Sequence, residues 1–221
     1  MNPLIQLKKL TLSVVALSLG CFGLACFALL PTAQALGPDT DGAIPGSNNG
    51  EGTGVLVSRT TGIWNTGTGF EVLHDLTDGN QNTAAGLRAL FSDTNGSFNT
   101  ATGVYSLFSN TSGSFNSATG VYALTNNATG GYNTANGYGA LSSNTEGEQN
   151  TATGSYALYH NTTGVTNTAS GISALFSNTT GVANTASGAE ALFSNTTGHK
   201  YSQRCWSALF QHHRQLQHGH W

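Results

Sequence analysis

The stretch that decides the fold is NTASGISALFSNTTGVA, residues 167–183. The same 17-residue pattern, N-T-A-x-G-x-x-A-L-x-x-N-T-T-G-x-x, occurs nine times in succession without an insertion, in copies that begin at Asn48, Asn65, Asn82, Asn99, Asn116, Asn133, Asn150, Asn167 and Asn184. Positions 5 and 15 are glycine in every copy, and position 9 is leucine in every copy. A fixed period of this kind is typical of a protein whose repeats stack on one another.

The repeat unit is too short, and too often interrupted by glycine, for a helical hairpin. Threonine, alanine, valine and aromatic residues between Asn- and Gly-rich turns favour short strands. We expect two strands and two turns in each coil, with the position-15 glycine at positive φ after Asn-Thr-Thr. Coils stacked through parallel hydrogen bonds rise about 4.8 Å each, so nine coils make a rod roughly 43 Å long. The predicted fold class is therefore all-β, a parallel β-solenoid or β-roll of nine 17-residue coils.

Strand alternation separates a core set of side chains from an outer set. Positions 3, 5 and 9 point one way and positions 6, 8 and 10 the other. The leucines of position 9 form the predicted structural ladder, namely Leu90, Leu107, Leu124, Leu141, Leu158, Leu175 and Leu192. The apolar residues of positions 6 and 10 form a predicted oligomer interface, namely Phe91, Phe108, Phe176, Phe193, Val104, Val121 and Ile172. The alternative is a kink near position 8 that turns both sets inward. Asparagines at positions 1 and 12 are expected to stack as amide ladders.

The N-terminus reads as a signal peptide over residues 1–35. Lys8 and Lys9 precede an apolar run at residues 10–30, and Ala33-Gln34-Ala35 offers a cleavage site. The alternative is a membrane anchor, because about 20 apolar residues can span a bilayer. Residues 36–47 then form a linker, the repeats occupy residues 48–200, and residues 201–221 form a tail. We expect an exported protein, at the cell surface or outer membrane or extracellular, in contact with membrane only through export or an anchor outside this sequence.

Composition excludes several classes of function. Charged residues make up 8% of the chain and the net charge is −3, so no basic face for nucleic acid is expected. Asp75 and Asp78 resemble an acid/base pair, but no pocket or nucleophile accompanies them in the sequence. The Asp-x-Asp-Gly at residues 39–42 lacks the other ligands of a calcium loop. The sequence therefore predicts no enzyme, no catalytic residue, no metal site and no cofactor.

The segments NTATG, NTANG and NTASG, spaced along small-residue coils, resemble the head repeats of trimeric autotransporter adhesins of the YadA type. Similar NTA-G-AL-NTTG arrays occur in bacterial surface proteins and phage-fibre-like proteins. The resemblance covers residues 48–200. It implies parallel β-rolls assembled as trimers, with a host or matrix surface, or a glycan, as the partner. The family's repeat is usually shorter than 17 residues, and its coiled-coil stalk and barrel anchor have no counterpart in this sequence.

The tail departs from the repeat at Lys200, apart from one fragment, SALF, that stays in phase. Codons can be assigned to residues 200–221 such that the frame beginning with the last two bases of the Lys200 codon reads NTANGVGALFSNTTGNYNTAT, which is the next repeat. We therefore interpret the tail as a frameshifted repeat and expect it to pack loosely. The frameshifted segment contains four histidines, His212, His213, His218 and His220. Because this segment is out of frame, they do not predict a metal site.

Three functions remain. The favoured one is a structural or adhesive surface rod that binds multivalently, without catalysis. The second is an ice-binding solenoid, in which threonines at positions 2 and 13 form flat rows. The third is a non-functional fragment of a larger surface protein, truncated by the frameshift.

Overall fold

The computed structural model describes residues 48–203, which form a continuous stack of coils with one strand per coil. Ten parallel strands pair in chain order in a single sheet. Their bounds are β1 Asn49–Glu51, β2 Thr66–Phe70, β3 Thr83–Leu87, β4 Thr100–Thr102, β5 Ser117–Thr119, β6 Thr134–Asn136, β7 Thr151–Thr153, β8 Thr168–Ser170, β9 Thr185–Ser187 and β10 Tyr201–Gln203. From β1 to β8 each strand pairs with the residues 17 positions further on, so the sequence period is the structural period. The predicted β-solenoid is confirmed.

Each coil holds one strand, so the prediction of two strands per coil is wrong. The reason is the backbone at positions 7 and 9, which adopts left-handed φ angles such as 58° at Tyr122 and 52° at Leu124. A left-handed residue breaks the two-residue alternation of a strand. The inter-coil hydrogen bonds nevertheless continue here, for example from Leu124 N to Ala140 O at 3.0 Å. The coils are therefore hydrogen-bonded to one another well beyond the sheet.

The broken alternation also decides which side chains face the core. Positions 3, 8 and 9 are buried, so alanine and leucine from both sides of the bend fill the interior. The kink near position 8 is thus confirmed for position 8 itself, whereas positions 6 and 10 stay on the outside. Six of the seven ladder leucines are fully buried, and the seventh, Leu192 in the last complete coil, is partly buried. The leucine column is the axis of the core.

The two glycine columns serve different purposes. At position 5 the backbone has a positive φ, as at Gly137 with 142°, which L residues rarely adopt. At position 15 no glycine has a positive φ, so the predicted reason for that glycine is wrong. A Cβ on Gly147 would instead lie 2.6 Å from the carbonyl oxygen of Gly164 in the next coil. Position 15 therefore requires glycine because adjacent coils approach too closely for a side chain.

Two columns of buried asparagines confirm the predicted amide ladders. At position 1, the Asn133 side-chain Nδ2 donates to the Gly147 carbonyl at 2.8 Å, and Asn133 Oδ1 accepts the backbone N–H of Asn150 at 3.0 Å. At position 12, Asn144 Nδ2 donates to Asn127 Oδ1 at 2.7 Å and to Gly147 O at 3.0 Å. The side-chain amides thus satisfy backbone groups that the tight coil would leave buried without partners.

The last described strand, β10, continues the sheet for three residues after Lys200, so the prediction of loose packing does not hold for Tyr201–Gln203. Tyr201, Ser202 and Gln203 pair with β9, but with an offset of 16 residues instead of 17. Lys200 takes position 1, where its backbone N–H donates to Asn184 Oδ1. This is the alignment of the alternative reading frame, in which the codon for the next position-1 asparagine begins within the Lys200 codon. The signal peptide, the linker and residues 204–221 lie outside the described residues.

Candidate binding surface

Side chains at positions 6, 7 and 10 share one side of the coils, which we call the aromatic surface. They lie outside because the left-handed residues at positions 7 and 9 turn only position 8 and the leucine inward. The rings form contacts within and between coils, such as Tyr105 with Phe108 at a centroid distance of 5.3 Å and Phe176 with Phe193 at 4.9 Å. The surface extends from His74, stacked on Phe91 at 4.9 Å, to Phe193.

All seven residues of the predicted interface belong to this outer side. Phe91, Phe108 and Phe176 are half-buried because each stacks on a ring of a neighbouring coil. Phe193 and Ile172 are exposed, and Val104 and Val121 are half-buried; Ile172, at 61%, is the most exposed of the set. The structure therefore places these apolar side chains where another molecule can reach them. Whether a second copy of the chain covers them stays a prediction.

The tyrosines of position 7 belong to the same surface and were missed at the sequence level. Tyr105 and Tyr122 stack with centroids 5.6 Å apart and an interplanar angle of 1°. Further along, Tyr156 meets Tyr159 edge-on at 5.4 Å. A strict strand alternation assigns position 7 to the core side, so the left-handed backbone is what hid these rings from prediction.

The aromatic surface is interrupted in the coil that begins at Asn133, where position 7 is Gly139 and position 10 is Ser142. The gap is a cavity of about 280 Å³ lined by Tyr122, Tyr138, Gly139, Ser142, Tyr156 and Tyr159, which we call the tyrosine notch. Burial, followed by the charge and hydroxyl of Tyr138 and the charge of Tyr159, raises the pKa of Tyr156 above its ordinary value. Its hydroxyl is therefore a neutral hydrogen-bond donor and acceptor at physiological pH.

At the other end of the surface the first coils carry charges. Glu71 accepts from Arg88 Nε at 2.6 Å, and the Arg88 guanidinium lies 5.3 Å from the centre of the Phe91 ring. Asp75 pairs with His74 at 2.7 Å, whereas Asp78 accepts hydrogen bonds from the hydroxyls of two threonines, which lower its pKa. The two aspartates thus have separate partners, and no acid/base pair forms between them.

A second stack of rings lies at position 17, which was not singled out in the sequence. Phe98, Phe115 and Tyr132 are exposed by 44%, 46% and 60%, and their rings are nearly parallel at 4.8 and 4.9 Å. The sequence contains a signal for this stack, because aromatic residues recur at position 17. That position was assigned to a turn, so the recurrence was overlooked.

The outer face of the sheet is a regular array of small hydroxyl-bearing side chains. Positions 2 and 4 are mostly threonine or serine, and they flank the buried alanine of position 3, as in Thr151-Ala152-Thr153. None of the side-chain hydrogen bonds among the described residues involves these hydroxyls. The threonines of position 13 differ, because they donate to the next coil, as Thr94 Oγ1 does to Thr111 O at 2.9 Å. The hydroxyls of position 13 are therefore engaged between coils, whereas those of positions 2 and 4 lie on the outer face of the sheet.

Other candidate sites can be placed as follows. Within residues 48–203 no group of three or more His, Cys, Asp or Glu side chains is close enough to hold a metal ion. The same residues contain no helix that could cross a membrane. The Asp-x-Asp-Gly segment at residues 39–42 and the four tail histidines lie outside the described part of the chain. Comparisons with protein-family models, with curated proteins and with solved structures find no match.

Proposed function

We propose that the protein is an exported rod that acts at the cell surface or outside the cell, as a structural or adhesive component that binds multivalently without catalysis. The observation that carries the proposal is the aromatic surface, which repeats along the described coils instead of being confined to one place. Aromatic side chains recur in several successive coils, which are about 4.8 Å apart, so many weak contacts can act together. The N-terminal sequence supports export, and the resemblance to YadA-type head repeats supports a surface role.

The same surface supports a homotrimer. Exposed rings and aliphatic side chains on one side of a soluble rod are typical of an interface. In a trimer, each rod would cover part of the aromatic surface of another and leave the threonine face of the sheet outside. The partner of the assembled rod is then a host or matrix surface, or a glycan.

Sedimentation of the purified protein tests the assembly, and attachment to immobilised matrix proteins and glycans tests the function. We expect a trimer that attaches, and we expect Phe108→Ser and Phe176→Ser to weaken assembly while circular dichroism stays β-rich. The matched control is Phe115→Ser, which removes an exposed ring from the position-17 stack and should leave the trimer intact. A monomer that attaches to no surface would contradict the proposal.

The ice-binding alternative is kept because one observation favours it. The hydroxyls and methyl groups of positions 2 and 4 form two flat rows, with about 4.8 Å between coils and about 6.6 Å along the strand. A rigid lattice of this kind can match an ordered water surface. Thermal hysteresis of the protein in solution tests this alternative, and Thr151→Lys, in the middle of one row, should abolish the hysteresis if ice is the ligand.

A further inference from the structure

We propose that the tyrosine notch binds one ring of a neutral saccharide. The proposal rests on the proposed function in one respect, since it names a glycan as the partner of this surface. It differs in scale, because the notch is a single site on each chain and does not require the repeated surface or the trimer. A soluble oligosaccharide can therefore test it separately from attachment.

The notch exists because two stacks of rings end there. At position 7 the stack of Tyr105 and Tyr122 stops at Gly139, and at position 10 the stack that contains Phe193, Phe176 and Tyr159 stops at Ser142. The faces of Tyr122 and Tyr159 that point toward this coil therefore lack the parallel ring that the rest of each stack supplies. Both tyrosines line the cavity.

The remaining walls are also aromatic. Tyr138 stands edge-on to Tyr122, with centroids 6.1 Å apart, and edge-on to Tyr156 at 5.2 Å. Gly139 lies close to the ring of Tyr156, since a Cβ on Gly139 would be only 3.2 Å from Tyr156 Cδ1. The glycine therefore keeps the cavity open to the depth of the backbone.

The polar groups of the notch are hydroxyls, and none of its lining residues carries a charge. Ser142 is 6% exposed, and it lines the notch together with the four tyrosines. Four phenol hydroxyls and one serine hydroxyl among aromatic rings match a ligand that alternates C–H groups with hydroxyls.

A pyranose ring has this combination of groups. Its axial C–H bonds carry partial positive charge and stack on the electron-rich faces of aromatic rings, while its hydroxyls pair with the rim. A volume of about 280 Å³ lies just below the usual range for small-molecule sites, so one ring enters the notch and the remainder of a chain stays outside it. A proline-rich peptide also favours tyrosine, but it needs an extended groove. The notch is closed along the rod by Tyr122 and Tyr156.

The experiment is titration of the purified protein, followed by NMR, with cellotriose, maltotriose and N,N′-diacetylchitobiose, and with decaproline as a separate arm. We expect at least one saccharide to bind once per chain with a Kd of about 1 mM or tighter. The affinity should not change between low and high salt, because neither partner is charged at the site.

Ser142→Phe is the decisive variant, because phenylalanine already occupies position 10 in Phe91, Phe108, Phe176 and Phe193 and is compatible with the fold. The new ring should continue the stack on Tyr159 and abolish binding without loss of stability. Ser142→Ala should keep the cavity and weaken binding about fivefold through loss of the hydroxyl. Phe115→Ser, which removes a ring elsewhere, is the control and should bind normally.

Two results would overturn the proposal. One is saccharide binding that Ser142→Phe leaves unchanged, since the ligand would then lie elsewhere on the rod. The other is absence of binding by all three saccharides, whether or not decaproline binds. Neither result would affect attachment through the repeated surface, so failure of the notch and failure of the proposed function can be told apart.

Discussion

The two columns of buried asparagines differ in how far they extend, and the difference shows which one the fold needs. At position 1 the asparagines run through every coil, from Asn48 to Asn184. At position 12 the column begins only at Asn110, because the three earlier coils have Arg59, Leu76 and Asp93 there. The early coils nevertheless stack in the same register as the later ones. We therefore expect the position-1 column to be required for a stable coil and the position-12 column to be an addition.

Hydrogen bonding explains the difference. A position-1 asparagine closes its own coil through the glycine carbonyl and supplies an acceptor for the backbone of the next coil. A position-12 asparagine donates to that same glycine carbonyl and to its neighbour in the column, and no backbone N–H of another coil depends on it. Loss of the first leaves buried backbone groups without partners, and loss of the second does not.

The largest expected loss of stability comes from the leucine column at position 9, which lies in the same coils as both asparagine columns. Leu141→Asp places a charge at a fully buried position in the middle of the rod, where no opposite charge is available. We expect loss of the cooperative β-rich fold, with a cost of roughly 5 kcal/mol or more. Circular dichroism and urea unfolding measure it. Leu141→Met, which keeps the volume, is the control and should cost less than about 1.5 kcal/mol; a Leu141→Asp protein that unfolds like the parent would contradict the assignment of this column to the core.

The second prediction uses the boundary of the position-12 column. Asp93 is buried, and its Oδ1 accepts from Gly96 N and Asn110 Nδ2 at 3.0 Å, while its Oδ2 has no partner. Burial raises the pKa of Asp93 to about 7, against the lowering effect of those hydrogen bonds. Asp93→Asn removes the charge and lets Nδ2 donate to the Gly96 carbonyl, as the later coils do. We expect stabilisation at pH 8 of up to about 4 kcal/mol, from the shift of roughly three pH units.

The sign of the pH dependence follows from the same shift. Since the folded protein binds the Asp93 proton more tightly than the unfolded chain does, the contribution of Asp93 to stability is greatest below pH 4 and is lost as the pH rises through about 7. Asp93→Asn should flatten this fall, measured as urea midpoints from pH 4 to pH 8. Asp78→Asn is the control with the opposite sign, because hydrogen bonds from Thr60 and Thr61 lower the pKa of Asp78 and its contribution is lost at low pH. The measured quantity is the difference in stability between the parent and Asp93→Asn. If this difference does not shift in favour of the variant between pH 5 and pH 8, the prediction is contradicted.

The third prediction compares the two columns directly at one carbonyl. The oxygen of Gly147 accepts from Asn133 at position 1 and from Asn144 at position 12. Asn133→Ala also removes the acceptor of the Asn150 backbone N–H, which then lies buried without a partner. We expect a loss of about 3 kcal/mol in urea unfolding. A loss no larger than that of the position-12 variant would show that the two columns are equivalent.

The periodic features of the fold could be predicted from the sequence, and those set by backbone geometry could not. The coil, the leucine core and both amide ladders follow from residues that recur every 17 positions. The left-handed φ at positions 7, 9 and 17 could not be foreseen, because leucine, tyrosine and phenylalanine there are residues that disfavour it. The clash that makes position 15 glycine is between coils and is visible only in three dimensions.

The candidate site illustrates the same limit in a different way. Phe108 and Phe176 were predicted on the outer side because they recur at position 10. The tyrosine notch arises where the pattern fails, at Gly139 and Ser142, and a consensus treats such departures as variation. Its walls come from three different repeat positions in neighbouring coils, which only the bend at positions 7 to 9 brings together.

The smallest expected effect is that of Asn144→Ala, and it decides whether the position-12 column is an addition. The variant removes the Asn144 donor to Asn127 Oδ1 and the acceptor for Asn161 Nδ2, but Asn127 and Asn161 keep their bonds to the glycine carbonyls of their own coils. Gly147 O also keeps the Asn133 amide at 2.8 Å. Since no buried backbone group is left without a partner, we expect a loss of about 1 kcal/mol. Urea unfolding beside Asn133→Ala measures the difference, and a loss equal to that of Asn133→Ala would mean that the early coils stack for a reason other than their position-1 asparagines.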